Sequence, residues 1–224
     1  MRPFSFSGTC LLGVLSAIFL AACSSGPKPA DWQMEAKGAM ERSVAAYLEG
    51  NSRVEAAELG RARVAISSTG RIDLAAKAEL LNCASHVASL VFEPCVGFEK
   101  LRADTAPAER AYADYLLAKL SPADAALLPP QQRAAALSGE AALKAIDDPL
   151  SRLVAAGVLF QKGSASPVLV QAAVDTASAQ GWRRPLLAWL GVQASLADKA
   201  GDSELAARVR RRMDLVDGKA KVNR

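Results

Sequence analysis

The chain has 224 residues, 27 basic and 23 acidic side chains, a formal net charge of +4, and a composition that is 51% hydrophobic but only 5% aromatic. That length suffices for one domain with a sizeable core, and the mild positive balance makes no demand for a nucleic-acid partner. Rich in Ala and Leu and lacking sustained β-branched alternation, the sequence predicts helices throughout and no sheet.

The first predicted element is an export signal. Arg2 supplies a positive charge, and the apolar run from Cys10 through Ala22 is too short to cross about 30 Å of hydrocarbon, so it serves as a removable address. Its end, Leu20-Ala21-Ala22-Cys23, resembles the lipobox of bacterial lipoproteins. The resemblance implies that residues 1–22 are a signal peptide cut by signal peptidase II, and that Cys23 receives a diacylglyceryl group and becomes the first mature residue. Ser24 stands where lipoproteins kept at the inner membrane often carry Asp, so the resemblance favours the periplasmic face of the outer membrane. Several acyl chains on one terminus anchor firmly, because each buried CH₂ contributes about 0.8 kcal/mol. Residues 23–30, including Gly26-Pro27-Lys28-Pro29, form a polar tether. Anionic lipid head groups are the acidic neighbours expected in that setting, and nucleic acid is not.

Residues 31–217 are predicted to form one helical domain, followed by a basic tail, 218–224. Helices are expected over 31–49, 52–68, 72–90, 107–119, 122–128, 130–146, 149–162, 167–180, 185–199 and 203–217. Ser52 with Glu55 has capping-box spacing, and Asp202 or Ser203 precedes the last helix in a looser form of it. Ser121-Pro122, Asp148-Pro149 and Ser166-Pro167 each put a capping residue before a proline suited to the first helical position. Gly50, Gly70, Gly163, Gly181 and Gly201 fall where helices should stop. Between about 91 and 106 the rhythm breaks, and Phe92-Glu93-Pro94-Cys95-Val96-Gly97-Phe98 reads as a non-helical connection pinned by a disulfide through Cys95 and by burial of its two aromatics.

Helix starts at 31, 52 and 72, and again at 130, 149, 167, 185 and 203, recur every 18 to 21 residues, so a helical pair occupies a length close to the ~34-residue tetratricopeptide and ~40-residue HEAT units. Gly50, Gly70 and Gly201 are each followed by an apolar residue at +4 (Val54, Leu74, Leu205) and Ala at +6. The segment from Trp189 to Met213 resembles a tetratricopeptide repeat around Gly201-Asp202-Ser203-Glu204-Leu205-Ala206, with departures at Ala194, Ala197 and Arg210. The expected fold is therefore all-α: stacked antiparallel hairpins, either a tetratricopeptide-like solenoid or an irregular helical bundle.

Chemistry-bearing residues are few. Cys83 and Cys95 are a cysteine pair in an oxidising compartment and are expected to form a disulfide. His86, the sole histidine, sits three residues after Cys83, so Cys83, His86 and Cys95 make the alternative of a metal-binding or hydrolytic centre. No Gly-x-Ser-x-Gly elbow, His-Glu-x-x-His or phosphate loop occurs, and Asp148 is better explained as a helix cap than as an acid/base partner of Asp147. No catalytic residue, metal or cofactor is assigned. Arg208, Arg211 and Arg212 share one face of the last helix opposite Leu205, Val209, Met213 and Val216, a solvated face or a contact for an anionic partner. Together these features point to a membrane-tethered, non-enzymatic protein-interaction scaffold of the cell envelope. A lipid-binding helical protein is the third reading.

Overall fold

The computed structural model describes residues 29–164 and 166–218; among them ten α-helices and three 3-10 segments alternate with short turns and no strand. The α-helices are α1 (Asp31–Glu49), α2 (Ser52–Ser67), α3 (Ile72–Ala88), α4 (Val96–Glu99), α5 (Pro107–Leu116), α6 (Pro130–Ser138), α7 (Pro149–Gln161), α8 (Pro167–Ala179), α9 (Arg183–Lys199) and α10 (Ser203–Val216). The 3-10 segments are Arg102–Asp104, Pro122–Leu127 and Gly139–Ala145. Among the described residues no helix is long and apolar enough to cross a membrane.

Local chemistry sets most boundaries. The side chains of Asp148, Ser166 and Asp202 each accept a hydrogen bond from the backbone N–H three residues on, and Ser121 accepts one from Ala123. At the other end, Gly201 takes φ +72 between α9 and α10, a left-handed turn that a β-carbon would strain. Three local readings need correction. Asn51, not Ser52, caps α2 by accepting from Val54 N–H, which leaves Glu55 free for another partner. The helix expected over 130–146 breaks at Gly139, whose φ of +64 and ψ of −145 end α6 and turn the chain into a 3-10 segment. The connection over 91–106 contains one α-helical turn, α4, and a 3-10 turn.

A recurring device links three of the helix starts. Each of α5, α6 and α7 opens with Pro-x-x-Arg, and in each case the arginine reaches back to a carbonyl just ahead of its helix. Arg110 donates to Thr105 O, Arg133 to Leu128 O at 3.0 Å, and Arg152 to Ile146 O through two nitrogens at 2.9 and 2.6 Å. Those carbonyls precede the helical ladder, and the guanidinium supplies the donor that it cannot.

Packing is not confined to chain neighbours. The α1–α2 and α9–α10 pairs are antiparallel hairpins, but α3 also packs on α5 and α7, and α1 on α9. Two long-range bonds close this arrangement: Trp189 Nε1 donates to Ala88 O at 3.1 Å, and Arg184 Nε donates to Tyr47 O at 2.7 Å, across 101 and 137 residues. An open solenoid has only nearest-neighbour contacts, so the all-α fold here is a bundle that returns on itself. The tetratricopeptide-like echo also fails at its first member, because Val54 is exposed while Glu55, Glu58, Leu59, Ala62 and Ile66 form the buried face of α2.

The main apolar core runs from α3 through α5 and α7 to α9, with Leu153, Leu169, Val174, Trp189 and Leu190 fully buried. A smaller cluster, with Ala36, Ala39, Met40, Leu59, Ala62 and Ile66 among its members, sits between α1, α2 and α3.

Candidate functional site

Where the α1–α3 cluster meets α5, two hollows with largely apolar linings form a surface cleft. One hollow of about 340 Å³ lies over Ala36, Met40, Ile66 and Ala78, with Trp32 at its edge. A second of about 370 Å³ lies over Leu80, Tyr112, Leu127 and Leu128. Both touch Lys77 and Leu81, one turn apart on one face of α3, so the hollows flank that ridge. Leu80 is buried in the core, whereas Leu81 stays 38% exposed on the cleft. Volumes of this size fall in the range of small-ligand sites.

The polar rim is unequal. Lys37, Arg71 and Lys77 border the first hollow and no carboxylate does. Their partners lie outside it: Lys37 is 3.8 Å from Glu41 and Arg71 is 2.7 Å from Asp73. The Arg71 guanidinium holds the Asp73 carboxyl below its usual range. Exposed pairs of this kind are weak and yield easily to a competing anion. Lys77 stands 3.7 Å from Glu109, which lines the second hollow. A third hollow shares Trp32 but carries the carboxylates of Asp31 and Glu35 beside Arg61.

Beside the cleft, α2 and α3 hold three nearly buried glutamates, each with a cationic or imidazole partner. Arg42 and Arg61 donate to Glu58 at 2.9 and 2.6 Å, Arg63 grips Glu79 at 2.6 and 2.8 Å, and His86 Nε2 lies 2.9 Å from Glu55 Oε1. The His86 ring also stacks on Tyr47 at 4.1 Å, and the Arg184 guanidinium lies 4.1 Å over the same tyrosine. Burial raises the Tyr47 phenol above its usual range, opposed by the charge of Arg184 and by the Ser89 hydroxyl.

Cys83 and Cys95 stand at disulfide distance, with Cα atoms 5.9 Å apart. This pair, buried Phe98, and Gly97 dock the α4 turn on α3; a β-carbon at Gly97 would fall on the Glu79 carboxylate. The alternative centre of Cys83, His86 and Cys95 therefore has its sulfurs facing each other and its imidazole engaged with Glu55 and Tyr47. Among the described residues no group of three or more His, Cys, Asp or Glu is arranged to hold a metal ion.

The arginines of α10 lie where the amphipathic pattern puts them. Leu205, Met213 and Val216 pack against the main core beside buried Val209. Arg208 is 3.8 Å from Glu204, and neighbouring Arg210 is 2.5 Å from Asp198. Arg211 and Arg212 have no ion-pair partner among the described residues, and Leu215, on the same outer stripe, is 65% exposed. Cys23 and the tail residues Lys219, Lys221 and Arg224 lie outside the described residues.

Two ends of the domain can be told apart. Trp32 of the cleft lies in the first turn of α1, whereas Tyr47, near its last turn, accepts from Arg184 of α9, and Arg183 in turn pairs with Asp217 after α10 at 3.2 Å. At 1.5 Å per residue, about 22 Å of helix separates Trp32 from Tyr47. The cleft thus borders the point where the chain enters the domain, and the end of α10 lies toward the other extremity.

The cleft was missed in the sequence. Its one local signal is the Leu80-Leu81 doublet, of which a single helix face buries only one member. Comparison with protein-family models, curated proteins and solved structures finds no match for this chain.

Proposed function

We propose that this protein is a lipid-anchored, non-enzymatic interaction scaffold of the bacterial cell envelope. It is held through Cys23 at the periplasmic face of the outer membrane and presents the outer stripe of α10 to an acidic partner protein. The observation that carries the reading is the state of that stripe. Arg211 and Arg212 lack ion pairs among the described residues, beside exposed Leu215. Guanidinium groups left free next to an apolar side chain suit carboxylate recognition with an apolar anchor. Their place toward the extremity away from Trp32 supports the same reading, because an anchor at the entering chain leaves that end accessible. The alternative of a hydrolytic or metal centre on Cys83, His86 and Cys95 gains no support from side chains already engaged with one another and with Glu55.

The test is photocrosslinking in intact cells from a reactive side chain placed at residue 215, with and without Arg211→Glu and Arg212→Glu. A discrete adduct that the charge reversals abolish is the expected result. Adducts that persist after reversal, or none at all, would oppose an acidic partner at this stripe.

A further inference from the structure

The cleft between α1, α3 and α5 has a different chemistry from the α10 stripe, and we infer that it binds an anionic glycerophospholipid of the supporting membrane. The head-group phosphate sits at Lys37, Arg71 and Lys77, and an acyl chain lies across the Lys77–Leu81 ridge. The inference rests on the proposed anchoring for its supply of lipid, but not on the proposed protein partner.

Three observations select this occupant. The two hollows, of about 340 and 370 Å³, have largely apolar linings and flank one shared cation, Lys77, whose partner Glu109 lines the second. A ligand that follows them needs a long apolar portion and one charged group. The sign of that charge follows from the rim, where three cations and no carboxylate border the first hollow. Lys37 and Arg71 are more than half exposed and paired only to surface carboxylates, so a phosphate can take their place. The third hollow, with Asp31 and Glu35 beside Arg61, repels the same head group, so the lipid is confined to one side of Trp32.

Position adds the third argument. Trp32 is one residue inside the domain, and Asp31 stands only eight positions after Cys23. A chain of that length spans at most about 29 Å, so an acylated Cys23 keeps the cleft within reach of a bilayer surface. Lipid then meets the cleft at the high effective concentration of a tethered ligand.

The experiment uses the processed chain, residues 23–224, with Cys23→Ser, so that its outcome does not depend on acylation. Tryptophan fluorescence is titrated with vesicles of phosphatidylglycerol or phosphatidylcholine whose acyl chains carry bromine, a contact quencher. The expected result is quenching about tenfold tighter with phosphatidylglycerol than with phosphatidylcholine. Trp32→Phe should remove most of it, since Trp182 and Trp189 lie elsewhere in the fold. Leu81→Asp should weaken it with the helical circular dichroism unchanged, and Arg211→Glu with Arg212→Glu should leave it intact.

Equal quenching by both lipids would overturn the assignment of the head group. Quenching that survives Trp32→Phe, or disappears with the α10 reversals, would place the lipid elsewhere. No quenching, together with self-association that Leu81→Asp abolishes in sedimentation, would assign the cleft to a second copy of this chain. Except where the α10 reversals abolish the quenching, the crosslinking test of the α10 stripe stands unaffected.

Discussion

The N-terminal helices α1–α3 and the C-terminal helices α7–α10 are built from the same Ala-rich vocabulary but are held together differently. In the second group, large side chains such as Leu153, Leu169, Trp189 and Leu190 fill a continuous core. In the first, the apolar cluster consists mostly of alanines and is supplemented by the Glu58, Glu79 and Glu55 pairs at the helix interfaces. Small residues let helices approach but leave shallow space along their flanks, and the first hollow of the cleft opens there. The thinly packed region carries much of the cleft lining, and the densely packed one supplies most of the core.

The two regions differ most at Trp189. Fully buried and bonded to Ala88 O, it joins α9 to the end of α3, and Trp189→Ala should cost about 3–5 kcal/mol in urea unfolding. A loss below about 1 kcal/mol would mean that the C-terminal core is not the principal source of stability. Arg63→Ala tests the other region. It leaves Glu79, 10% exposed, without its two-pronged partner, and because Arg63 itself is half exposed the expected cost is smaller, about 1–2 kcal/mol. Repeating the measurement at high salt should shrink this difference and leave the Trp189 effect nearly unchanged.

Much of the fold was legible because it rests on local chemistry. Side-chain oxygens ahead of Pro122, Pro149 and Pro167, and glycines after α1, α2 and α9, act within a few residues and mark helix ends wherever the helices later pack. The cap of α2 was misassigned because Asn51 and Ser52 are both competent and tertiary contact decides between them: Arg184 Nη2 donates to the Ser52 hydroxyl at 2.8 Å from 132 residues away. The split at Gly139 was hidden because a 3-10 segment continues the same apolar side chains to buried Leu143. Neither the cleft nor the closure of α1 on α9 has a local signature, since both arise from residues distant in sequence. The Pro-x-x-Arg starts were open to view, but their meaning depends on the carbonyl each arginine meets.

The smallest expected effect concerns pH. Burial raises the phenols of Tyr47, Tyr112 and Tyr115, with the charge of Asp148 adding to Tyr112 and the neighbouring Tyr112 adding to Tyr115. A raised folded-state value means that the stabilisation is complete below the unfolded value near 10 and is lost as pH rises beyond it, because the unfolded chain releases those protons first. Denaturation midpoints should therefore hold steady up to about pH 10 and fall above it. Tyr47→Phe should make that fall shallower by one group, and an unchanged slope would show that the α1–α9 contact keeps no phenol neutral.

A tethered scaffold requires the anchor at Cys23. Mass spectrometry of the protein extracted from the cell envelope tests it directly. A mature chain beginning at Cys23 with a diacylglyceryl modification, lost in Cys23→Ala, is the expected result. A chain that retains residues before Cys23, or carries an unmodified cysteine there, would contradict the tethered scaffold.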